Sequence, residues 1–323
     1  MVTHSEELME LRTAVRADLA LLAAGDRIVI ACSGGADSIA LAYALSLEAP
    51  KMALALSAVT VDHGLQENST EVASACATFL STLNIPTEII NVVVGTDGGL
   101  EAAARDARYG ALVAHAKGVG AVAIYLAHSL DDQAESVLLG LARGSGPRSI
   151  AGMSAVSGIY RRPALGIRRT VLRSVAESLG HIVDDPMNLD RRFLRVKLRT
   201  QLIPALDEAL GGGVPQALAR TALLLQDDLA ALDALAGAHF AENPGLEVAR
   251  LSVQPKAVRT RVLRLALLGA GLDGGLLTYE HLERGDQLLV EWHGQGEIAL
   301  PGGLSLARKS GRLILSPLGV GKA

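Results

Sequence analysis

The sequence predicts an α/β protein: a doubly wound parallel sheet with a smaller, mainly helical C-terminal domain. Apolar runs at about 26–32, 53–61, 88–94 and 121–127 alternate with helical stretches at about 37–48, 67–83, 99–117 and 131–143. Such alternation is the pattern of βαβ units, which lay their strands in parallel. The chain has 323 residues, 50% of them hydrophobic, enough for one sizeable core and a smaller second one.

The first unit carries the most informative stretch. Arg27-Ile28-Val29-Ile30-Ala31-Cys32 is of buried-strand type, and Ser38 to Leu45 reads as a helix, so Ser33-Gly34-Gly35-Ala36-Asp37-Ser38 sits at a strand-to-helix turn. Two glycines let the backbone approach a polyanion, the helix N-terminus adds positive partial charge, and the serines offer hydroxyls. Phosphate is the expected guest, although a carboxylate would satisfy the same donors and a Gly-Gly turn is often only a turn. Asp37 decides the matter: a carboxylate beside a phosphate cradle repels it unless a divalent cation lies between, which predicts Mg²⁺ there.

In doubly wound sheets ligands bind outside the carboxyl ends of the strands. The second strand ends in Val61-Asp62-His63-Gly64-Leu65, the third leads into Gly98-Gly99-Leu100-Glu101, and the fourth into Ala127-His128-Ser129-Leu130-Asp131-Asp132-Gln133. A lone histidine at a strand end is more often simply hydrogen-bonded, but His63 and His128 together point to one site. Arg105 and Arg108, three apart on the following helix, suit phosphates, while Glu101 and Arg105 also have the spacing of a surface pair. Asp131, Asp132 and Glu135 open the next helix, and Glu135 shares a face with both aspartates. First-turn acids complement the helix dipole, and Ser129 with Asp132 has capping-box spacing. Three neighbouring carboxylates at a strand end repel one another, which favours an ammonium or Mg²⁺ partner.

Net charge is −4, which by itself argues against nucleic acid. Residues 161–199 nevertheless hold ten basic residues against four acidic ones, a net +6 that leaves −10 for the rest. Clustered arginines suit RNA phosphates. Solvated helix faces with local ion pairs would give the same composition, and charge alone does not separate the two. Aromatic residues are 3%, so base stacking has few candidates. Cys32 and Cys76 form no C-x-x-C pair, which excludes a disulfide framework or structural zinc. The acidic N-terminus and the absence of a long apolar run predict a cytoplasmic protein with no membrane partner.

Gly211-Gly212-Gly213-Val214-Pro215 reads as a flexible break. We therefore expect a domain over 1–212, its segment 161–212 a basic helical extension, and a second over 213–323. Helices are expected at 216–240, 255–271 and 278–291, then a hairpin over 297–306 continued by 312–315.

Neither a Walker A loop nor a G-x-G-x-x-G fingerprint follows a strand. The hexapeptide Ser33 to Ser38 instead resembles the PP-loop of N-type ATP pyrophosphatases, which adenylate their substrates. Together with Val61-Asp62-His63-Gly64-Leu65, the stretch from Glu101 through Arg105 and Arg108 to Tyr109, and that from His128 through Asp132 to Ser136, it resembles the tRNA(Ile)-lysidine synthetase family. Leu141-Ala142-Arg143-Gly144-Ser145-Gly146 and Asp185-Pro186-Met187-Asn188-Leu189-Asp190, leading to Phe193-Leu194-Arg195 and Arg199, add to the likeness over about 26–200. Gln66, Met187 and Val196 depart from the usual pattern.

The resemblance implies a ligase that forms lysidine on the wobble cytidine of an isoleucine tRNA with a CAU anticodon. ATP adenylates the C2 oxygen, and the ε-amine of L-lysine then displaces AMP. It further implies that Ser33, Gly34, Gly35, Ala36, Asp37, Ser38 and His63 bind ATP, with Mg²⁺ on Asp37. Asp132 and Glu135 would hold lysine, and Asp37, His128, Asp132 and Glu135 would carry the chemistry. Arg105, Arg108, Arg191, Arg195 and Arg199 would contact tRNA, and residues 213–323 would position it. Assembly is open between a monomer and a homodimer. A PP-loop tRNA thiolase is an alternative, for which Cys32 and Cys76 are poor candidates. A non-catalytic adenine-nucleotide-binding module is another, and it would not need the acidic helix or the arginine window.

Overall fold

The computed structural model describes residues 5–64, 68–95, 99–144, 146–180, 182 and 194–318. By packing, the chain divides into one unit of residues 1–139 with 152–222 and another of 140–151 with 223–323.

The first unit opens with α1 (Glu6–Leu19), whose N-cap Ser5 accepts a hydrogen bond from the Leu8 amide. Its Leu8, Leu11, Val15 and Leu19 are buried at helical spacing. The periods read from the sequence begin only at the first strand and leave this helix unassigned. Next come β1 (Arg27–Ala31), α2 (Ala36–Glu48), β2 (Ala55–Asp62), α3 (Ser69–Thr82), β3 (Thr87–Asn91), α4 (Leu100–Val119), β4 (Ala121–Tyr125) and α5 (Leu130–Arg143). All four expected β-α pairs are present within a few residues.

A short hairpin, β5 (Val156–Ser157) and β6 (Tyr160–Arg161), completes a six-stranded sheet of order β3-β2-β1-β4-β6-β5. Five strands are parallel, and β5 alone runs antiparallel, on β6. The sheet is therefore mainly rather than wholly parallel. Its two extra strands contribute two residues each, too few for a periodic signal.

Chain order places β2 and β3 on one side of β1 and β4 on the other. The carboxyl ends of β1 and β4 thus flank the topological switch point, where ligands enter such sheets. One face of the sheet buries Ile28, Ile30, Ala58 and Tyr125 with Leu11, Leu41, Leu45 and Leu172, drawn from α1, α2 and α7 (Arg169–Ser178). The other buries Val29, Val59 and Ile124 with Leu112 and Ala116 of α4. The buried Glu48 carboxylate accepts from Arg12 at 2.6 Å, Arg16 at 3.0 Å and Lys51 at 3.0 Å, which fastens α1 to the end of α2. After α7, the segment α8 (Leu194–Lys197), a π turn (Leu198–Leu202) and α9 (Ile203–Ala209) leads to Gly211, Gly212 and Gly213, with φ of 81°, 91° and 82°. Three successive left-handed residues need glycine and break the helix sharply. The Asp207 carboxylate then accepts from the Val214 amide at 2.7 Å, at the start of α10 (Val214–Glu242).

The second unit contains α6 (Pro147–Ile150), the distal part of α10, α11 (Val248–Leu251), α12 (Lys256–Gly269) and α13 (Tyr279–Val290). These are followed by an antiparallel sheet of β7 (Ile298–Leu300), β8 (Leu304–Lys309) and β9 (Arg312–Pro317). Leu251, Val262, Leu263, Leu288 and Leu306 form its core. Among the described residues, no helix is long and apolar enough to cross a membrane.

Candidate functional site

The loop after β1 takes the conformation its glycines allow. Gly34 has φ of 83°, and Gly35 caps α2 with extended backbone and no side-chain acceptor. The first-turn amides of α2 therefore have no side-chain cap, which is the arrangement that receives an anion. Buried Ser38 accepts from the Ser33 amide at 3.2 Å and donates to the Gly35 carbonyl at 2.8 Å, pinning the loop closed on itself. Asp37 lies in the first turn of α2. Burial pushes its carboxyl above the ordinary value and Asp132 adds to the rise, against the pull of Arg169. The hard oxygens of Asp37, at the N-terminus of α2, suit a divalent cation.

After β2, the Asp62 carboxylate accepts from the Gly64 amide at 2.9 Å and the Thr70 hydroxyl at 2.7 Å, and Gly64 takes φ of 62°. This tight turn carries His63, whose buried Nδ1 has no hydrogen-bond partner. Burial, then the positive charge of Arg108, lowers its pKa. His128, beyond β4, is pushed down to about 4 by burial, with Arg162, Arg108 and Arg105 adding to the effect and Asp132 opposing it. Arg162 donates from Nε to His128 Nδ1 at 3.2 Å, which assigns the imidazole proton to Nε2. Both rings are neutral at neutral pH. Arg105 and Arg108 hold their guanidinium carbons 4.8 and 5.5 Å from the Tyr109 ring centroid, and Tyr109 packs edge-on against Tyr160 at 5.1 Å. Both arginines act electrostatically on His128, and Arg108 also on His63, so the cationic helix and the two histidines share one neighbourhood.

The start of α5 carries the capping box read from the sequence, and its acids pair with arginines. Asp132 closes a capping box: its Oδ2 accepts from the Ser129 amide and hydroxyl, each at 2.8 Å, and its own amide donates to Ser129 Oγ at 3.3 Å. The same carboxylate turns Oδ1 to Arg169. Burial works against its charge, but Arg169 and Ser129 outweigh burial, and the pKa falls below the ordinary value. Fully buried Glu135 accepts from Arg199 Nε at 2.8 Å and lies 3.5 Å from both Arg169 and Arg195. Asp131 does something else: it accepts the Arg169 amide at 2.7 Å, capping α7 from a distance, and pairs with Arg168.

The carboxylates and the arginine window, read separately in the sequence, thus face each other. Arg169 joins Asp37, Asp132 and Glu135, an assignment the sequence reading does not make. The charge window was the available signal, but nothing local says which arginine meets which acid. Arg195 and Arg199 lie at the same cluster. Arg191 and residues 183–190 are outside the described residues.

The fold and the anion loop at its switch point define a PP-loop protein, and residues 7–206 match the family described as a PP-loop domain. Residues 246–314 match the TilS substrate binding domain. A tRNA(Ile)-lysidine synthase of Streptomyces coelicolor is 51% identical over 299 residues, covering 89% of this chain and 84% of that protein. One of Thermobifida fusca is 47% identical over 311 residues, covering 94% and 96%. The chain belongs to the tRNA(Ile)-lysidine synthase family. Among solved structures, the U34-tRNA thiolase NcsA from Methanococcus maripaludis with its [4Fe-4S] cluster aligns with a TM-score of 0.58 at 19% identity, over 68% of this chain and 80% of that one. That likeness concerns the fold alone.

Proposed function

We infer that this protein is an ATP-dependent ligase that joins lysine to C2 of the wobble cytidine of tRNA(Ile), forming lysidine. One observation carries the assignment of roles within the site: a phosphate cradle and a carboxylate pair meet at one switch point, bridged by a single guanidinium between Asp37 and Asp132.

In this reading the α2 amides and Ser33 receive the phosphates of ATP. Asp37 would hold Mg²⁺ beside them, and that ion, when bound, offsets charge on the departing pyrophosphate. The C2 oxygen of cytidine attacks the α-phosphorus, and the bond to pyrophosphate breaks. The oxygen, a poor leaving group before, becomes a good one once esterified to AMP. Lysine's ε-amine then forms the C–N bond at C2 while AMP leaves with the C–O electron pair. Asp132 and Glu135 supply the anionic socket for lysine. Only the neutral amine attacks, so a neighbouring group accepts its proton. Asp132, ionised because its pKa is lowered, is in a protonation state that can do so, whereas the bare Nδ1 of His128 is taken by Arg162 and its Nε2–H is placed to donate. Arg105 and Arg108, beside Tyr109, suit the phosphates and the base of the anticodon loop.

Incubation with ATP, Mg²⁺, radiolabelled lysine and a CAU-anticodon tRNA transcript is expected to place label in the RNA. Tight ATP binding without label transfer would overturn the assignment. The thiolase alternative finds no support in the two cysteines: Cys32 and Cys76 are buried, with their sulfurs 3.6 Å apart.

A further inference from the structure

The socket assigned to lysine is already held by a cation of the chain itself. Arg169 is the first residue of α7, and Asp131 fixes its backbone amide. From that anchor its guanidinium reaches three carboxylates: Nε lies 3.1 Å from Asp37, Nη2 binds Asp132, and Nη1 lies 3.5 Å from Glu135. Arg199 and Arg195 hold Glu135 from another side. Arg169 alone touches both the ATP loop and the acidic helix among these arginines.

We propose that Arg169 is a latch that makes lysine binding conditional on nucleotide. The proposal rests on reading Asp132 and Glu135 as the lysine socket and Ser33–Ser38 as the phosphate cradle. A guanidinium presents five donors in a fixed fork that matches phosphate and carboxylate alike, each bidentately. Without nucleotide, an incoming ammonium must displace Arg169 from Asp132. When a polyphosphate settles at the N-terminus of α2, next to Asp37, it offers Arg169 a competing anion within reach. Asp37 would hold the cation that accompanies the nucleotide, which leaves Arg169 Nε to exchange this carboxylate for phosphate. As Arg169 moves toward phosphate, Glu135 keeps Arg199 and Arg195, but Asp132 is left with Ser129 and with Arg199 at 3.7 Å, an undercompensated carboxylate that is costly where it is largely buried. Lysine's ammonium relieves it. The two ligands thereby help each other bind, and the coupling is the same whichever arrives first.

The test measures radiolabelled lysine binding by equilibrium dialysis, without tRNA. It is run with and without Mg²⁺ and an ATP analogue whose α–β bridging oxygen is replaced by methylene. For the unaltered protein, lysine should bind at least about ten-fold tighter with the analogue, whereas Arg169→Met should bind lysine without nucleotide and show coupling below about three-fold. The reciprocal titration, analogue with and without lysine, should return the same factor. If Arg169→Met loses its cooperative thermal transition, Arg169→Lys replaces it. It keeps a cation but cannot span two carboxylates, so its coupling should fall below about one third of the unaltered value. Equal lysine affinity with and without the analogue in the unaltered protein would overturn the latch, as would a variant that keeps the full coupling. Failure of lysine to bind the unaltered protein under either condition would instead overturn the socket assignment itself.

Discussion

Replacing Glu48 by glutamine tests how the helix that carries the ATP loop is secured. Glu48 ends α2, whose first turn holds Asp37, and its 1%-exposed carboxylate is held by Arg12, Arg16 and Lys51. Burial alone would raise its pKa. Hydrogen bonds from Arg16, Arg12 and Lys51 outweigh that and bring it from 4.5 to about 2. A folded-state pKa below the unfolded one contributes stability above pH 4.5 that is lost as pH falls toward 2. At 1.36 kcal/mol per pKa unit, the shift corresponds to about 3 kcal/mol at neutral pH. Glu48→Gln removes that charge, so its cost at neutral pH is this same quantity. Urea denaturation followed by circular dichroism, on both proteins at a series of pH values, should show a difference of about 3 kcal/mol at pH 7 that shrinks toward zero by about pH 2. A difference that stays constant across that range would refute the ionic account, since a purely steric defect does not titrate.

Other consequences concern the site. Asp132→Asn should lower kcat/KM for lysine by roughly 10- to 100-fold, the worth of a hydrogen bond to a charged group, and a filter-binding assay should find ATP affinity changed by less than about three-fold. Gly34→Ala places a side chain at φ of 83°, so the loop is strained by roughly 1–2 kcal/mol and nucleotide affinity, read by calorimetry, should fall accordingly. Because His128 titrates at about 4, the ligation rate should show no limb near the ordinary imidazole value that His128→Asn abolishes. Arg108→Ala should raise KM for tRNA and flatten its salt dependence by about one unit of slope, with KM for ATP little changed.

The expectations from sequence succeeded where the signal is local. The run Arg27–Ala31 and the period of α2 place the loop at β1, and the alternation that follows locates β2, β3 and β4 and so the switch point. What stayed hidden is non-local or short. The hairpin of Val156–Ser157 and Tyr160–Arg161 is below any detectable period. The tertiary capping of α7 by Asp131 joins residues 38 apart in sequence. The meeting of Arg169 with Asp37 spans 132 positions, and composition reports only that both charges exist.

That last pairing bears on why the fold tolerates such a site at all. Asp37, Asp132 and Glu135 converge where the strands end, and without a counter-charge the cluster would repel itself and favour protonation. A resident metal would solve this only while bound. Drawing arginines from the N-cap and first residue of α7 and from the segment after it solves it within the chain, with four guanidinium groups set against four carboxylates. The consequence is functional: the cations that balance the carboxylates are of the kind well suited to bind phosphate. Charge balance within the cluster thus rests on side chains chemically suited to phosphate, and in the reading proposed above substrates would enter by exchanging partners with them.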